Sequence, residues 1–199
     1  MSINRLLSLI SIGCLVTSQT AGAEVNSAIT ISSGVVLANV SGYQAGSELF
    51  SKNFDFKWVS FRSRILAAVG EFHTTFSNKF QLTQIMETRA GVQYYPFAYA
   101  VDFDDLHSTS QVKYSASWKP YIHGKMGYGR YFITTPDLTA LSEIASNYIS
   151  VGGGMGTQYQ LSSSVSLDSN VDASYAVGTS PASFSGLFIR ARFGLFLLL

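Results

Sequence analysis

The chain has 199 residues, of which 13% are charged and 14% aromatic, with 13 basic against 12 acidic side chains. Charge so evenly balanced argues against nucleic acid as a partner, and so low a charge content is unusual for a soluble domain, where about a quarter of residues are charged. Past residue 23 no run of about 18 apolar residues occurs, so a helical membrane span is unsupported.

The N-terminus reads as a leader. Arg5 is a positive n-region, residues 6–16 are an apolar run too short to cross a bilayer, and Ala21-Gly22-Ala23 offers the small residues a signal peptidase reads. Cleavage is expected before Glu24, making 1–23 a signal peptide and 24–199 a single domain. Loss of Arg5 leaves basic and acidic residues equal in number. Cys14, the only cysteine, lies inside the leader, so neither disulfides nor thiolate metal sites are available to the mature chain. Gly13 before it suggests lipoprotein acylation, but Ser11 stands where such a site has Leu, and plain cleavage is favoured.

The mature chain stays apolar overall yet holds its hydrophobicity in short pieces, as strands alternating between lipid and lumen do. Eight strands are expected. The first, 28–40, is rich in Ile and Val without clean alternation, and 41–55 reads as a loop. In 59–70, Val59, Phe61, Ile65, Ala67 and Val69 are expected to face lipid, with Arg62 and Arg64 inward. Residues 80–95 put Leu82, Met86, Ala90, Val92 and Tyr94 outward, and Glu87, Arg89, Gly91 and Gln93 inward.

Residues 111–118 alternate Val112, Tyr114, Ala116 and Trp118 against Lys113, Ser115 and Ser117, and a tight link at 118–120 leads into 121–132. There Ile122, Met126, Tyr128 and Phe132 look outward, and His123, Lys125, Gly127 and Gly129 inward. Residues 134–146, with Pro136, read as a loop. Residues 147–158 turn Ile149, Val151 and Met155 outward and Ser150, Gly152, Gly154, Gly156 and Gln158 inward.

The clearest pattern is 163–177. Val165, Leu167, Val171, Ala173, Tyr175 and Val177 share one face, and Ser164, Ser166, Asp168, Asn170, Asp172 and Ser174 the other, a period of two that no helix accommodates. In 186–199, Ile189, Ala191, Phe193, Leu195, Leu197 and Leu199 oppose Phe188, Arg190, Arg192 and Gly194. An arginine turned to the bilayer midplane costs about 2–4 kcal/mol, so Arg190 and Arg192 are expected to look inward. Short links (74–79, 118–120, 159–162) are expected on the rim that holds both termini, and long ones (41–55, 96–110, 133–146, 178–184) on the other. Tyr94, Tyr95, Phe97 and Tyr99 are expected at one membrane boundary, and Trp118 and Tyr159 at the opposite one.

The glycine-rich run Asn147-Tyr148-Ile149-Ser150-Val151-Gly152-Gly153-Gly154-Met155-Gly156, the following Ser164–Tyr175 segment and the proline-led Pro120-Tyr121-Ile122-His123-Gly124-Lys125-Met126-Gly127-Tyr128-Gly129-Arg130 strand resemble the OmpA-like, OmpX-type small outer-membrane barrels. The resemblance implies an all-β, eight-stranded antiparallel transmembrane up-and-down β-barrel in the outer membrane. It also implies insertion by the barrel-assembly machinery through the C-terminal strand, which ends here in Leu199 where the family usually has Phe or Trp. Expected surroundings are outer-membrane lipid and lipopolysaccharide, with no nucleic acid and a monomeric state. Nothing follows the last strand, so no appended peptidoglycan-binding domain is expected.

Arg62, Arg64, Arg89, Lys113, Lys125, Arg190 and Arg192, with Glu87, Asp168, Asp172 and nearby His123, form the expected polar network of the lumen. An eight-stranded barrel is just wide enough for side chains to fill. A plug of paired charges is therefore favoured over a porin-like conduit for apolar or anionic solutes. No catalytic, cofactor or metal site is expected. Gly152, Gly153, Gly154 and Gly156 do not match a dinucleotide fingerprint, and Gly124-Lys125-Met126 lacks the rest of a P-loop. Glu71 and His73 share a strand face, and His107 lies among Asp102, Asp104, Asp105 and Ser108. His107-Ser108-Thr109-Ser110 only partly echoes lipid A deacylases, so a lipid-A-modifying acyl hydrolase or transferase is the least favoured reading. The acidic loop also lacks the full spacing of a calcium site.

Overall fold

Residues 165–178 alternate between buried and more exposed side chains, and the computed structural model builds that alternation into a closed wall. It describes residues 27–42, 46–50, 52–63, 65–76, 83–97, 102–103, 112–113, 117–134, 143–162, 164–180 and 183–199. The strands are β1 (Ser27–Gly42), β2 (Gly46–Phe50), β3 (Lys52–Phe61), β4 (Leu66–Phe76), β5 (Thr83–Tyr94), β6 (Asp102–Phe103), β7 (Val112–Lys113), β8 (Trp118–Thr134), β9 (Glu143–Gln160), β10 (Val165–Ser180) and β11 (Phe184–Leu198). β2 and β3 pair in succession with β1 and form one interrupted wall strand. Among the described residues, eight wall positions close into a barrel through antiparallel neighbours, with β11 returning to β1 from Ala28↔Leu198 to Gly42↔Phe184. The leader and the expected cleavage site lie outside the described residues.

Two of the expected strands are corrected. Residues 41–55 are not all loop, because β2 and the start of β3 occupy the wall there. Asn53-Phe54-Asp55-Phe56-Lys57-Trp58 alternates cleanly, with Asn53, Asp55 and Lys57 buried and Phe54 and Phe56 exposed. The expected single strand 59–70 is instead the end of β3, a turn and the start of β4. In the turn Arg62 N and Ser63 N donate to Leu66 O at 2.9 and 3.1 Å. Val59, Phe61, Ala67 and Val69 point inward, contrary to expectation.

Of residues 111–118, only Trp118 lies in the described wall, where it opens β8, so 118–120 is strand and not a tight link; residues 111 and 114–116 lie outside the described residues. Val112 and Lys113 pair with Asp102 and Phe103 in a separate two-stranded sheet within the β5–β8 link. The total of eight survives because one strand was missed and another miscounted.

The missed strand also shifts which rim each link occupies. Leu199 N donates to Ser27 O, Tyr95 N to Ile65 O, Gln160 N to Ser117 O and Leu198 N to Ser164 O, all within 2.8–2.9 Å. The two chain ends, the 62–65 turn, the 161–164 turn and the long β5–β8 link therefore share one rim, here called the terminal rim. The links after β1, β4, β8 and β10 leave from the far rim. Short and long links are thus not segregated as expected. Tyr94, Tyr95 and Phe97 lie at the same rim as Trp118 and Tyr159, with Tyr95 turned inside; Tyr99 lies outside the described residues.

Outside and inside are inverted relative to a soluble protein. Met126, Val151, Met155 and Phe193 are more than half exposed on the outer wall, whereas Arg190 and Asp168 are 0% exposed within. Only a surrounding apolar phase makes such an arrangement favourable, since exposed apolar area costs about 25 cal/mol per Å² in water.

Candidate functional site in the lumen

The inward positions form a column with two kinds of contents. Near the terminal rim, Ala28, Val59, Phe61, Ala67, Tyr95, Tyr121 and Phe196 make one apolar cluster. Its rings lie 5.8–6.5 Å apart, in tilted or edge-on arrangements. Toward the far rim, Val36, Ala38, Val40, Ile85, Tyr148, Ala176, Phe184 and Phe188 make a second. The Tyr148 ring packs 5.7 Å from Phe188 and 5.9 Å from Phe184.

Two glycines make room for these clusters. Tyr148 lies directly across the ladder from Gly129, and Tyr121 from Gly156. A Cβ on either glycine would overlap the facing ring. An aromatic ring covering a cross-strand glycine supplies the packing that the glycine lacks.

Between the clusters lies a network of charge. Arg192 Nη1 donates to Asp55 at 2.9 Å and also to Glu71, and its Nη2 donates to Asp172. Arg89 spans Glu71 and Asp172, the latter at 3.0 Å. Arg190 reaches Glu87 at 2.5 Å, Asp172 at 3.2 Å and the Ser174 hydroxyl at 2.6 Å. Lys125 meets Glu71 at 2.5 Å, and Ser150 Oγ donates to Glu87.

Each end of the network touches an aromatic cluster. Lys57 pairs with Asp168 at 2.5 Å and lies 5.2 Å from the centroid of Tyr121, whose hydroxyl donates to the same carboxylate at 2.8 Å. At the other end, the Arg190 guanidinium lies 5.4 Å from the Phe188 ring. Both are cation–π contacts, which gain strength away from water.

Of the residues expected in the lumen, Glu87, Arg89, Lys125, Asp168, Asp172, Arg190 and Arg192 meet in this network. His123 is buried beside it, its Nε2 3.9 Å from Asp172. Arg62 is corrected: it is exposed in the terminal-rim turn, where water reaches it and no inward placement is needed. Lys113 is likewise corrected, because it belongs to the link sheet and not to the wall. Arg64 lies outside the described residues.

Sequence reasoning missed Asp55, at the end of the presumed loop, and Lys57, between that loop and the expected strand. It noted Glu71 and His73 without placing them in the lumen, where Glu71 takes three cations and His73 Nδ1 lies 2.6 Å from Asp55. The 53–58 alternation was the signal that could have found the first two.

Chemically the network can neutralise and brace, since each carboxylate named here faces a cation and the side chains are almost wholly buried. The Asp55–His73 pair resembles half of a catalytic triad, but both side chains are 0% exposed and His73 Nε2 has no hydrogen-bond partner, so no nucleophile is poised there. Among the described residues no three metal-ligating side chains converge. His107, Asp104, Asp105 and Ser108 lie outside them.

No protein-family model matches the sequence, and no curated protein matches it. Solved structures do. Neisserial surface protein A is 14% identical at a TM-score of 0.57, covering 87% of this chain and 97% of its own. That likeness is one of fold: a closed eight-stranded barrel. The N-terminal β-barrel domain of Pseudomonas aeruginosa OprF is 10% identical, with a TM-score of 0.44 over 83% of this chain and 97% of that one. Ail, the attachment invasion locus protein of Yersinia pestis, is 16% identical, with a TM-score of 0.39 over 87% and 99%.

Proposed function

We propose that the chain is an integral outer-membrane protein with a closed lumen, and that its role, structural or in surface interaction, is carried by the far-rim links. The supporting observation is the order of the lumen contents: a network of three arginines, two lysines and five carboxylates held between two aromatic clusters. A solute would have to part both clusters and also separate ion pairs whose loss of one partner costs about 3–5 kcal/mol. In this reading residues 1–23 direct export and are removed, and β11 engages the assembly machinery. The terminal rim then faces the periplasm and the far rim the exterior.

Planar-bilayer recording tests the closed lumen. The purified barrel is expected to give no steady conductance; a reproducible open level in the wild type would favour the porin-like conduit. Heat-modifiable migration from the outer-membrane fraction tests the location. Recovery as a compact monomer in detergent-free buffer would contradict it.

A further inference from the structure

We propose that Arg130 forms a binding site for the phosphate of a phosphorylated glycolipid in the outer leaflet; this rests on the outer-membrane placement above. Among charged residues whose side chains are described, only Arg62 and Arg130 are exposed. Arg62 sits in a turn. Arg130 stands on the outer wall itself, an outward position of β8 paired with Met86 on one side and Asn147 on the other.

Its depth follows from the strand. From Trp118 at the terminal rim, the outward positions run through Pro120, Ile122, Gly124 and Met126 to Tyr128, and Arg130 is the next. The climb from Trp118 to Tyr128, at about 3.4 Å per residue and a tilt of about 40°, spans about 25 Å along the barrel axis, which is the height of the apolar band. Arg130 therefore lies just beyond the acyl region, where an outward arginine costs about 0–1 kcal/mol rather than the midplane penalty. Headgroup phosphates occupy that level.

The side chain is also held. Its guanidinium carbon lies 5.1 Å from the centroid of Phe132, the next outward residue. Among the described residues it has no carboxylate partner, and none of its donors is engaged. A guanidinium fixed against a ring and left with its planar fork of donors matches a phosphate bidentately, as an ammonium does not.

Native mass spectrometry of the full-length barrel, released from detergent containing bisphosphorylated lipid A, tests the site. The wild type is expected to retain the lipid, Arg130→Gln to retain it about tenfold more weakly, and Arg130→Lys to fall between. Equal retention by Arg130→Gln, or equal retention of dephosphorylated lipid A, would overturn the proposal. Displacement by millimolar inorganic phosphate would also overturn it, because the site would then be one for free anion. Heat-modifiability of each variant establishes that it is folded. The orientation is tested separately by labelling Ser41→Cys, near the far rim, on intact cells. Protection of that position would overturn the outer-leaflet assignment while leaving phosphate retention intact, so the two failures are distinguishable.

Discussion

The middle of the lumen and its two ends use the same inward register for opposite chemistry. In the middle, β3, β4, β5, β8, β10 and β11 aim ionised side chains at one another across the barrel. At the ends, these strands together with β1 and β9 aim Val, Ile, Ala, Phe and Tyr. A single strand shows the change: β11 carries Phe188, then Arg190 and Arg192, then Phe196, all facing in. The difference teaches that an inward position in so narrow a barrel is defined by volume and pairing rather than by polarity. Aromatic ends exclude water from the charges, and exclusion strengthens every ion pair between them.

The largest break of this comparison is expected in the middle. Arg192→Ala leaves Asp55, Glu71 and Asp172 short of a shared cation and should destabilise the barrel by about 3–5 kcal/mol. Urea unfolding in lipid vesicles, followed by Trp58 and Trp118 fluorescence, would measure it. Truncating an end comes next: Phe188→Ala removes a buried ring and should cost about 3 kcal/mol, and it should also loosen the far-rim closure. If it unfolds at the wild-type urea midpoint, that cluster contributes nothing. Ile122→Arg, on the lipid side near the midplane, should cost about 2–4 kcal/mol, with impaired insertion as the readout. At the small end, Arg62→Ala should shift stability by no more than about 0.5 kcal/mol, since that arginine lies outside the network.

How much of this was legible follows from the same contrast. β10 and β11 could be read because their middle segments oppose Asp168, Asp172, Arg190 and Arg192 to aliphatic residues. β1 could not be patterned, because its inward Val36, Ala38 and Val40 belong to the far cluster and its outward Val35 and Leu37 are apolar too. The β3–β4 turn hid for a related reason. Val59, Phe61, Ala67 and Val69 keep one parity across it, the turn has no Gly, Pro or Asn to mark it, and the row looked lipid-facing although all four are buried and the first three belong to the terminal cluster.

The 111–118 segment failed in the other direction: its alternation read as a wall strand, but Val112 and Lys113 pair in the link sheet. Arginine sidedness at Arg190 and Arg192 followed from desolvation cost. At Arg62 it was alternation that misled, because one strand pattern was carried through a rim turn. Asp55 and Lys57 carry the lesson most sharply, since the alternation of 53–58 straddles the end of the presumed loop and the gap before the expected strand.

Alternation in a bilayer is the claim beneath all of this, and a cysteine scan of β10 reads it directly. Fluorophores placed one at a time from Ser169 to Tyr175 in reconstituted vesicles should be quenched by bromine-labelled acyl chains at 169, 171, 173 and 175 and shielded at 170, 172 and 174. Quenching with the opposite phase, or equal at every position, would contradict the inward placement of the charged network.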